Sequence, residues 1–344
     1  MPLTGLIAAV VAISPALLAG CSGDKGSPPA TTSVAPTTST TSPTVSDDTA
    51  PLTGLPQSDA AVRARGVVAV KIDNVAPAKP QAGLQNADLV FEEPVEGGLT
   101  RLMAVFQTKD ITRVGPVRSA RIPDASLVRA MGGGLLIYSG ASKVTSRMLR
   151  EEQPKGVTLL PEGSRGWTRD SRRHAPHNLF VDERLARRSR SSDAVTARRQ
   201  FAFADATPSG GEKASSVALR WSATKVTWTW NDDRERWLRT QSGRKDVMET
   251  GGRIAATNVV VLQVETTTDP RLKDKTGAHT PLPDLLAGGR AWLLRDGVVV
   301  PGRWQRQDAD SPFTLVDDSG QELGLRPGRS WIELLTAPAV PSVT

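Results

Sequence analysis

Residues 67–72 read VVAVKI, a short apolar run that is typical of a buried strand. Elsewhere in the first half of the chain, similar runs are mixed with segments whose apolar residues recur at helical spacing. Asp124 precedes the segment ASLVRAM and is expected to cap that helix, which Gly132 would end. This mixture predicts an α+β or α/β arrangement for the N-terminal half. The other predicted strands are 87–91, 99–106 and 135–139, and the predicted helices are 124–131 and 142–152.

The second half of the chain alternates in the strand period. Trp228 and Trp230 are expected on one face of a strand, with a turn at 231–234 after it. Asp296-Gly297, between AWLLR and VVVPGRW, predicts a type I′ hairpin. Residues 258–265 and 331–335 read as further strands, so this half is predicted to be smaller and mostly β. A polar stretch at 205–216 separates the halves and places the predicted domains at 51–208 and 215–337.

The composition excludes two classes of small protein. The chain has 344 residues with one Cys and three His, so it can form neither an internal disulfide scaffold nor a Cys-rich zinc module. Its length is sufficient for about two domains. Motifs of the Walker, dinucleotide-binding and Gly-x-Ser-x-Gly types are absent from the sequence, and no cofactor or metal site is predicted.

The lone cysteine follows an apolar leader. Residues 3–18 are uncharged and mostly apolar, too short for a bilayer span, and predict a signal peptide at 1–20. The sequence Leu18-Ala19-Gly20-Cys21 resembles the lipobox of bacterial lipoproteins, in which the cysteine carries a diacylglyceryl group. The resemblance implies lipid attachment at Cys21, although the leader lacks the Lys or Arg that normally precedes such a segment.

The segment after the cysteine predicts a tether. Ser, Thr and Pro make up 18 of the 29 positions from 22 to 50. Such a composition buries too little apolar surface to offset the entropy of ordering, so residues 21–50 are predicted to be disordered. The rest of the chain is then expected to work close to the outer face of the cytoplasmic membrane.

The folded part is predicted to be basic. Residues 51–344 carry 42 Lys and Arg against 33 Asp and Glu, and residues 165–199 alone contribute a net charge of +6. Behind a lipoprotein signal, anionic lipids or wall polymers are more plausible counter-charges than nucleic acid. A solvated polar helix at 181–190 is the alternative explanation for the local excess.

Several unusual strings occur in series and resemble the YerB-like family of bacterial lipoproteins. The resemblance covers residues 52–335 and implies a lipoprotein signal followed by an N-terminal and a smaller C-terminal domain. It implies no reaction, because the family is one of unknown function. The strings are VAVKIDN at 68–74, KPQAGLQNADLVFEEPVE at 79–96, GGLTRLMAVFQ at 97–107, VGPVRSAR at 114–121 and RHAPHNLF at 173–180.

These strings contain the candidate site. On a strand, Glu92 and Glu93 point to opposite faces, so at most one of them shares a face with Asp73 or with a polar residue of another strand. This spacing neither provides nor forbids the paired acid and base of a hydrolase. Glu93 or Glu96 is alternatively expected to pair with Arg101 across a hairpin. The full set of candidate ligand-binding residues is Asp73, Asn74, Glu92, Glu93, Glu96, Arg101, Arg118, Ser119, Arg121, His174, His177 and Asn178.

Two of these groups suggest recognition of an anion. Arg118 and Arg121 offer guanidinium forks for a carboxylate or phosphate, with Ser119 expected to hydrogen-bond between them, although pairing with the acidic strand is equally natural. His174 and His177 flank a proline and follow two arginines, which disfavours a metal cation. Acid–base chemistry, anion binding and structural hydrogen bonding all remain open for them.

The sequence therefore predicts a lipid-anchored binding or scaffold module of the bacterial cell envelope rather than an enzyme. Its expected partners are the membrane, through Cys21, and a wall polymer or a wall-synthesis protein. The rival interpretations are a hydrolase of wall polymers that uses Glu92 or Glu93 with a histidine, and a solute-binding protein with a cleft between its two domains.

Overall fold

The computed structural model describes residues 48–151, 156–163, 165–189, 195–274 and 276–344. The predicted signal peptide, Cys21 and nearly all of the predicted tether lie outside the described residues. These described residues belong to one compact unit. None of the helices in the described ranges is long and apolar enough to cross a membrane.

The N-terminal region contains both helices and strands. Its elements are α1 (Ala60–Ala64), β1 (Val67–Asp73), β2 (Leu89–Pro94), β3 (Thr100–Phe106), α2 (Ile122–Ala130), β4 (Gly134–Tyr138), α3 (Lys143–Glu151), β5 (Val157–Pro161), β6 (Trp167–Arg169), β7 (Leu179–Val181) and α4 (Glu183–Ser189). All four strands and both helices predicted for this half are present near their expected bounds.

The C-terminal region is almost entirely β, as the sequence predicts. Its strands are β8 (Glu212–Lys213), β9 (Ser216–Arg220), β10 (Lys225–Asn231), β11 (Arg236–Gln241), β12 (Arg244–Lys245), β13 (Ala255–Ala256), β14 (Asn258–Val264), β15 (Thr266–Lys273), β16 (His279–Pro283), β17 (Gly289–Arg295), β18 (Val298–Gln305), β19 (Thr314–Val316), β20 (Ser330–Thr336) and β21 (Ser342–Val343).

One eleven-stranded mixed sheet runs through both regions. Its order is β19-β18-β17-β14-β20-β2-β3-β1-β4-β5, with β8 added beside β18. The join is the parallel pairing of β2 with β20, in which Val90 lies beside Trp331 and Glu92 beside Glu333. The N-terminal and C-terminal regions are therefore parts of one continuous sheet.

The two faces of this sheet are covered differently. Val68, Val70 and Ile72 share a core with Val226 and Trp228 from the second sheet, which is built from β9–β13 and β21. Val67 and Ala69 face the other way, into a core that includes residues of α2. Since side chains alternate along a strand, this arrangement fixes the face onto which each polar residue of β1, β2 and β3 projects.

The start of α2 corrects one prediction. Asp124 is not the N-cap, because the helix begins at Ile122 with Arg121 as its N-cap. The Asp124 side chain instead reaches back and accepts a hydrogen bond of 2.6 Å from the Arg121 backbone N–H. Asp124 is therefore the third residue of the helix and caps its first turn from that position. Its other carboxylate oxygen remains available to pair with a cation.

Candidate functional site

A cleft of about 760 Å³ lies where the N-terminal sheet, the loop before α2 and the β15–β16 hairpin meet. We call it the arginine cleft, because Arg101, Arg118 and Arg121 line it together with Lys273. The lining residues that provide hydroxyl groups are Ser119, Ser139, Ser142, Thr145 and Thr280. The lining residues that provide carboxylates are Glu96, Glu162 and Asp274.

Strand pairing places Arg101 at the base of this cleft. It is the second residue of β3, and its register partners are Glu93 on β2 and Asp73 on β1. Its Nη1 donates a hydrogen bond of 3.2 Å to the Ser119 carbonyl oxygen. Among the described residues, no carboxylate lies within ion-pair distance of Arg101, which is unusual for a guanidinium that is largely removed from water.

The electrostatic surroundings of Arg101 are unfavourable to its charge. Burial, followed by the positive charges of Arg121 and Arg118, lowers the pKa of Arg101 to about 10. Asp73 and Glu96 oppose this shift but do not cancel it. An anion bound in the cleft would supply the missing counter-charge.

The other two cleft arginines are each paired with one carboxylate. Arg118 Nε lies 2.9 Å from Asp73 Oδ2. Arg121 donates hydrogen bonds to Glu96 from two guanidinium nitrogens, and one of these bonds is 2.8 Å long. Burial acts to raise the pKa of Glu96, but the hydrogen bonds and charge of Arg121 outweigh it and lower that pKa.

The sequence predicts that the Ser119 hydroxyl hydrogen-bonds between Arg118 and Arg121, but the structure differs. The hydroxyl donates to the Ser139 carbonyl oxygen at 3.2 Å. The Ser119 carbonyl oxygen instead accepts hydrogen bonds from Arg101 and Arg121, at 3.2 and 3.3 Å. The backbone of this loop, rather than its hydroxyl, therefore holds two guanidinium groups close together.

His177 connects the cleft to a second cationic pocket. Its Nδ1 lies 2.8 Å from Asp73 Oδ2, the carboxylate oxygen that also contacts Arg118. On its other side, His177 lines a pocket of about 480 Å³, which we call the histidine pocket. The other residues that line it are Pro77, Lys79, Pro80, Asp170, Arg172, Arg173, His174 and Glu249.

Lys79 is the most perturbed cation of the histidine pocket. Burial, followed by repulsion from Arg239, lowers the pKa of Lys79 to about 8, although Lys79 Nζ contacts Asp246 at 2.6 Å. His174 is exposed at the rim of the same pocket. Asn178 is buried and accepts a hydrogen bond of 2.9 Å from Arg169, so its side chain is engaged outside both pockets.

Glu93 does not pair with Arg101, contrary to one of the alternatives drawn from the sequence. It belongs to a fully enclosed ion cluster, in which Lys71 Nζ lies 2.8 Å from Glu93 and 2.7 Å from Asp124. Burial and the neighbouring Asp124 charge raise the pKa of Glu93 to about 8. Glu96 pairs with Arg121 rather than Arg101, so both versions of the predicted hairpin pair are wrong.

Glu92 points to the opposite face of β2, as predicted, and is also enclosed. It accepts hydrogen bonds from Asn74 at 3.0 Å and Thr100 at 2.7 Å, and it contacts Arg239 at 2.6 Å. Glu333 lies beside it in register, and burial and the Glu92 charge raise the pKa of Glu333 well above its usual value. Neither Glu92 nor Asn74 lines the arginine cleft.

The structure thus brings together the three sequence segments that carry the candidate residues. One concave surface is lined by Glu96, which follows the acidic strand, by Arg118, Ser119 and Arg121 of the loop before α2, and by Pro176 of the histidine loop. Lys71, Arg239 and Lys273 were not among the candidate residues predicted from the sequence. Lys71 had a signal, since it interrupts the apolar run VVAVKI, whereas the other two depend on long-range packing.

A group of three or more His, Cys, Asp or Glu side chains suitable for a metal is not found within the described ranges. The arrangement is instead suited to bind an anion, because guanidinium forks and hydroxyl groups converge without an internal carboxylate for each cation.

Comparisons with known proteins agree with the resemblance noted in the sequence. The family model described as "Protein of unknown function (DUF3048) N-terminal domain" matches residues 52–196, and that of the C-terminal domain matches 217–332. A Bacillus subtilis (strain 168) protein named "Putative lipoprotein YerB" is 28% identical over 297 residues, covering 83% of this chain and 86% of that protein. The crystal structure of Bacillus subtilis YerB matches with a TM-score of 0.72 and 25% identity, covering 86% of this chain and 99% of that one. The chain therefore belongs to the DUF3048 family and has its two-domain organisation.

Proposed function

We propose that this protein is a lipid-anchored binding module of the bacterial cell envelope, and that its arginine cleft binds an anionic ligand or partner. The anchor in this proposal is a diacylglyceryl group on Cys21, which would hold the protein at the outer face of the cytoplasmic membrane. Its support is the lipobox-like sequence Leu18-Ala19-Gly20-Cys21 and the similarity to a protein named as a putative lipoprotein. A phosphate-bearing wall polymer or an acidic surface of a wall-synthesis protein fits this position.

The observation that carries the proposal is the unpaired state of Arg101. Three guanidinium groups and Lys273 surround one cleft, but among the described residues only Arg118 and Arg121 of these four cations form ion pairs. Guanidinium–phosphate and guanidinium–carboxylate contacts are charge-assisted and commonly bidentate. A ligand anion that reaches Arg101 would offset the effects of burial and of the Arg121 and Arg118 charges, which lower its pKa.

The enzyme alternative has weaker support. A hydrolase that uses Glu92 or Glu93 with a histidine would need the pair to meet at an accessible surface. Within the described residues, Glu93 is enclosed with Lys71 and Asp124, and Glu92 with Arg239. His177 contacts Asp73 rather than Glu92 or Glu93.

A binding experiment tests the proposal. The full chain, purified in detergent micelles, is titrated calorimetrically with poly(glycerol phosphate), polyglutamate and a neutral glycan of similar length. We expect one of the two anionic polymers to bind, with an affinity that falls as salt is added, because salt screens exposed charges.

Arg101→Gln is the diagnostic variant. Loss of a hydrogen-bonded ion pair typically costs about 1.5–3 kcal/mol, so we expect binding to weaken about 10-fold or more. Arg220→Gln is the matched control, since Arg220 is exposed on β9 and away from the cleft. Binding of the neutral glycan alone, or equal anion binding by both variants, would refute the proposed function.

A further inference from the structure

The arginine cleft has a second wall, which consists of hydroxyl groups and carboxylates. Carboxylates repel an anion, so a simple anion site does not account for them. Ser139 and Glu162 directly follow β4 and β5, which are parallel neighbours, so both residues lie at the carboxyl edge of these strands. In open α/β sheets this edge is the usual place for a ligand. We call Ser119, Ser139, Glu162 and Asp274, which all line the cleft, the acceptor wall.

The acceptor wall lies directly beside the arginines. Ser139 N–H donates a hydrogen bond of 2.9 Å to the Arg118 carbonyl oxygen, and Ala120 N–H donates one of 3.2 Å to the Gly140 carbonyl oxygen. The two loops approach closely here, since a Cβ at Gly140 would lie 3.2 Å from Ser119 Oγ. A ligand in the cleft is therefore within reach of both the guanidinium groups and the acceptor wall.

The hydroxyl groups of this cleft have already donated their protons. A serine or threonine hydroxyl has one proton to donate and two lone pairs that accept. Ser139 Oγ donates to Glu162 Oε2 at 2.6 Å, and Ser119 Oγ donates to the Ser139 carbonyl oxygen at 3.2 Å. The Thr280 hydroxyl likewise donates to Glu96. Because carbonyl and carboxylate oxygens have no proton to give, these hydroxyls can only accept further hydrogen bonds.

The two carboxylates of the acceptor wall are acceptors as well. Glu162 Oε1 already contacts Arg169 Nη2 at 2.5 Å, so its charge is compensated. Hydrogen bonds from the Thr276 hydroxyl and from backbone N–H groups lower the pKa of Asp274, which therefore stays ionised. The four cations of the cleft would repel an ammonium group of a ligand. A neutral hydroxyl group is the donor that suits this wall.

We propose that the arginine cleft binds a phosphate ester of a polyol or sugar, with the phosphate on Arg101 and Arg118 and the ligand's hydroxyl groups donating to Ser139 and Glu162. This inference rests on the proposed function, because it names the ligand class of the same cleft. It selects a polyol-phosphate polymer over an acidic protein surface, since Asp and Glu side chains carry no hydroxyl group beside their charge. The cleft volume of about 760 Å³ has room for a phosphate together with such hydroxyls.

Calorimetric titration of the full chain in detergent micelles with three small phosphate esters tests this inference. Glycerol 1-phosphate has two hydroxyl groups, n-propyl phosphate has none, and phosphoethanolamine has an ammonium group instead. We expect glycerol 1-phosphate to bind about 10-fold more tightly than propyl phosphate, because each hydroxyl that meets an acceptor adds a hydrogen bond. Phosphoethanolamine should bind no more tightly than propyl phosphate.

Two variants remove acceptors from the wall. Glu162→Gln keeps the side-chain size at an exposed position but removes a negative charge. Propyl phosphate should then bind as before or more tightly, while the preference for glycerol 1-phosphate falls below about 3-fold. Ser139→Ala should reduce the preference in the same direction. Glu212→Gln is the matched control, since Glu212 is exposed on β8 and does not line the cleft, and it should keep the full preference.

Arg101→Gln locates the esters, and it should weaken the binding of all three about 10-fold or more. Equal binding of glycerol 1-phosphate and propyl phosphate, tighter binding of phosphoethanolamine, or a preference that both wall variants retain would overturn the inference. Undiminished binding by Arg101→Gln would also overturn it, because the esters would then lie elsewhere. If an anionic polymer binds but none of the esters does, this inference fails and the proposed function stands, whereas both fail if neither polymer nor ester binds.

Discussion

Replacing Lys71 with Met tests the enclosed ion cluster beneath α2. Lys71, Glu93 and Asp124 are almost completely removed from water, and the lysine contacts both carboxyl groups at 2.7–2.8 Å. Met has nearly the same length and volume but no charge. The variant therefore leaves two buried carboxyl groups that face each other without a cation.

Breaking a buried ion pair by removing one partner costs about 3–5 kcal/mol, because the remaining charge is uncompensated. We expect Lys71→Met to reduce the free energy of unfolding at pH 8 by about this amount. For a chain of this size, the midpoint of thermal unfolding would then fall by about 6–10 °C.

The cost should depend on pH. In the folded protein the pKa of Glu93 is already raised to about 8, so between its ordinary value of 4.5 and about 8 the folded state holds a proton that the unfolded chain releases. Stability from this group therefore falls as pH rises through that window. Removing Lys71 takes away the charge and the hydrogen bond that lower the pKa of Glu93, so in the variant Glu93 keeps its proton above pH 8. Above that pH the variant should therefore lose up to about 1.4 kcal/mol more stability per pH unit than the unmodified protein.

Chemical denaturation of both proteins at pH 8 and pH 9 measures the effect. Lys225→Met is the matched control, because Lys225 is exposed on β10 and should change stability by less than about 0.5 kcal/mol. A cost below about 1 kcal/mol at pH 8, or the same cost at both pH values, would refute the assignment of an ion cluster here.

Two further substitutions test the packing of the fold. Gly97 and Gly98 both have φ of +69°, but a Cβ at Gly98 would lie 2.5 Å from Ser222 Cβ, whereas a Cβ at Gly97 meets nothing within 4 Å. Gly98→Ala should therefore destabilise the protein by about 1–3 kcal/mol more than Gly97→Ala in denaturant titrations, and equal losses would contradict the contact. Trp228→Phe removes the N–H that donates to the enclosed Glu333 at 2.7 Å, so it should cost about 1–3 kcal/mol. Equal unfolding midpoints for this variant and the unmodified protein at pH 8 would contradict that hydrogen bond.

Local features of the fold could be predicted because they depend on neighbouring residues. Asp296 and Gly297 both have positive φ, 51° and 75°, and connect β17 to β18 in the predicted two-residue hairpin. The alternation of Trp228 and Trp230 with threonines correctly indicated β10. The helix before Gly132 was found, but its first residue was misplaced because a proline at 123 pre-sets the first turn.

Long-range features could not be predicted from the same information. The pairing of β2 with β20 joins segments about 240 residues apart, and no local pattern shows which strands become neighbours. The partner of Glu92 is Arg239 because the second sheet lies on that face of β2. The partner of Glu93 is Lys71 for the same kind of reason, on the opposite face.

The candidate site shows the same contrast between local features, which could be predicted, and long-range features, which could not. Arg118 lines the arginine cleft and His177 lines the histidine pocket, and both contact Asp73 between them. The sequence could not show that Glu92 and Glu93 are enclosed, because burial depends on the layers above and below the sheet. It also could not show that Arg101 is left without a carboxylate, and this feature carries the proposed function.

Tungstate binding in a crystal of this protein tests the central claim most directly. Tungstate has the charge and shape of a phosphate group and a strong anomalous signal. The account predicts an anomalous peak in the arginine cleft, within about 4 Å of the Arg101 guanidinium, that is absent from crystals of Arg101→Gln. A cleft without a peak, or an equal peak in the variant, would contradict the claim that Arg101 binds an anion in this cleft.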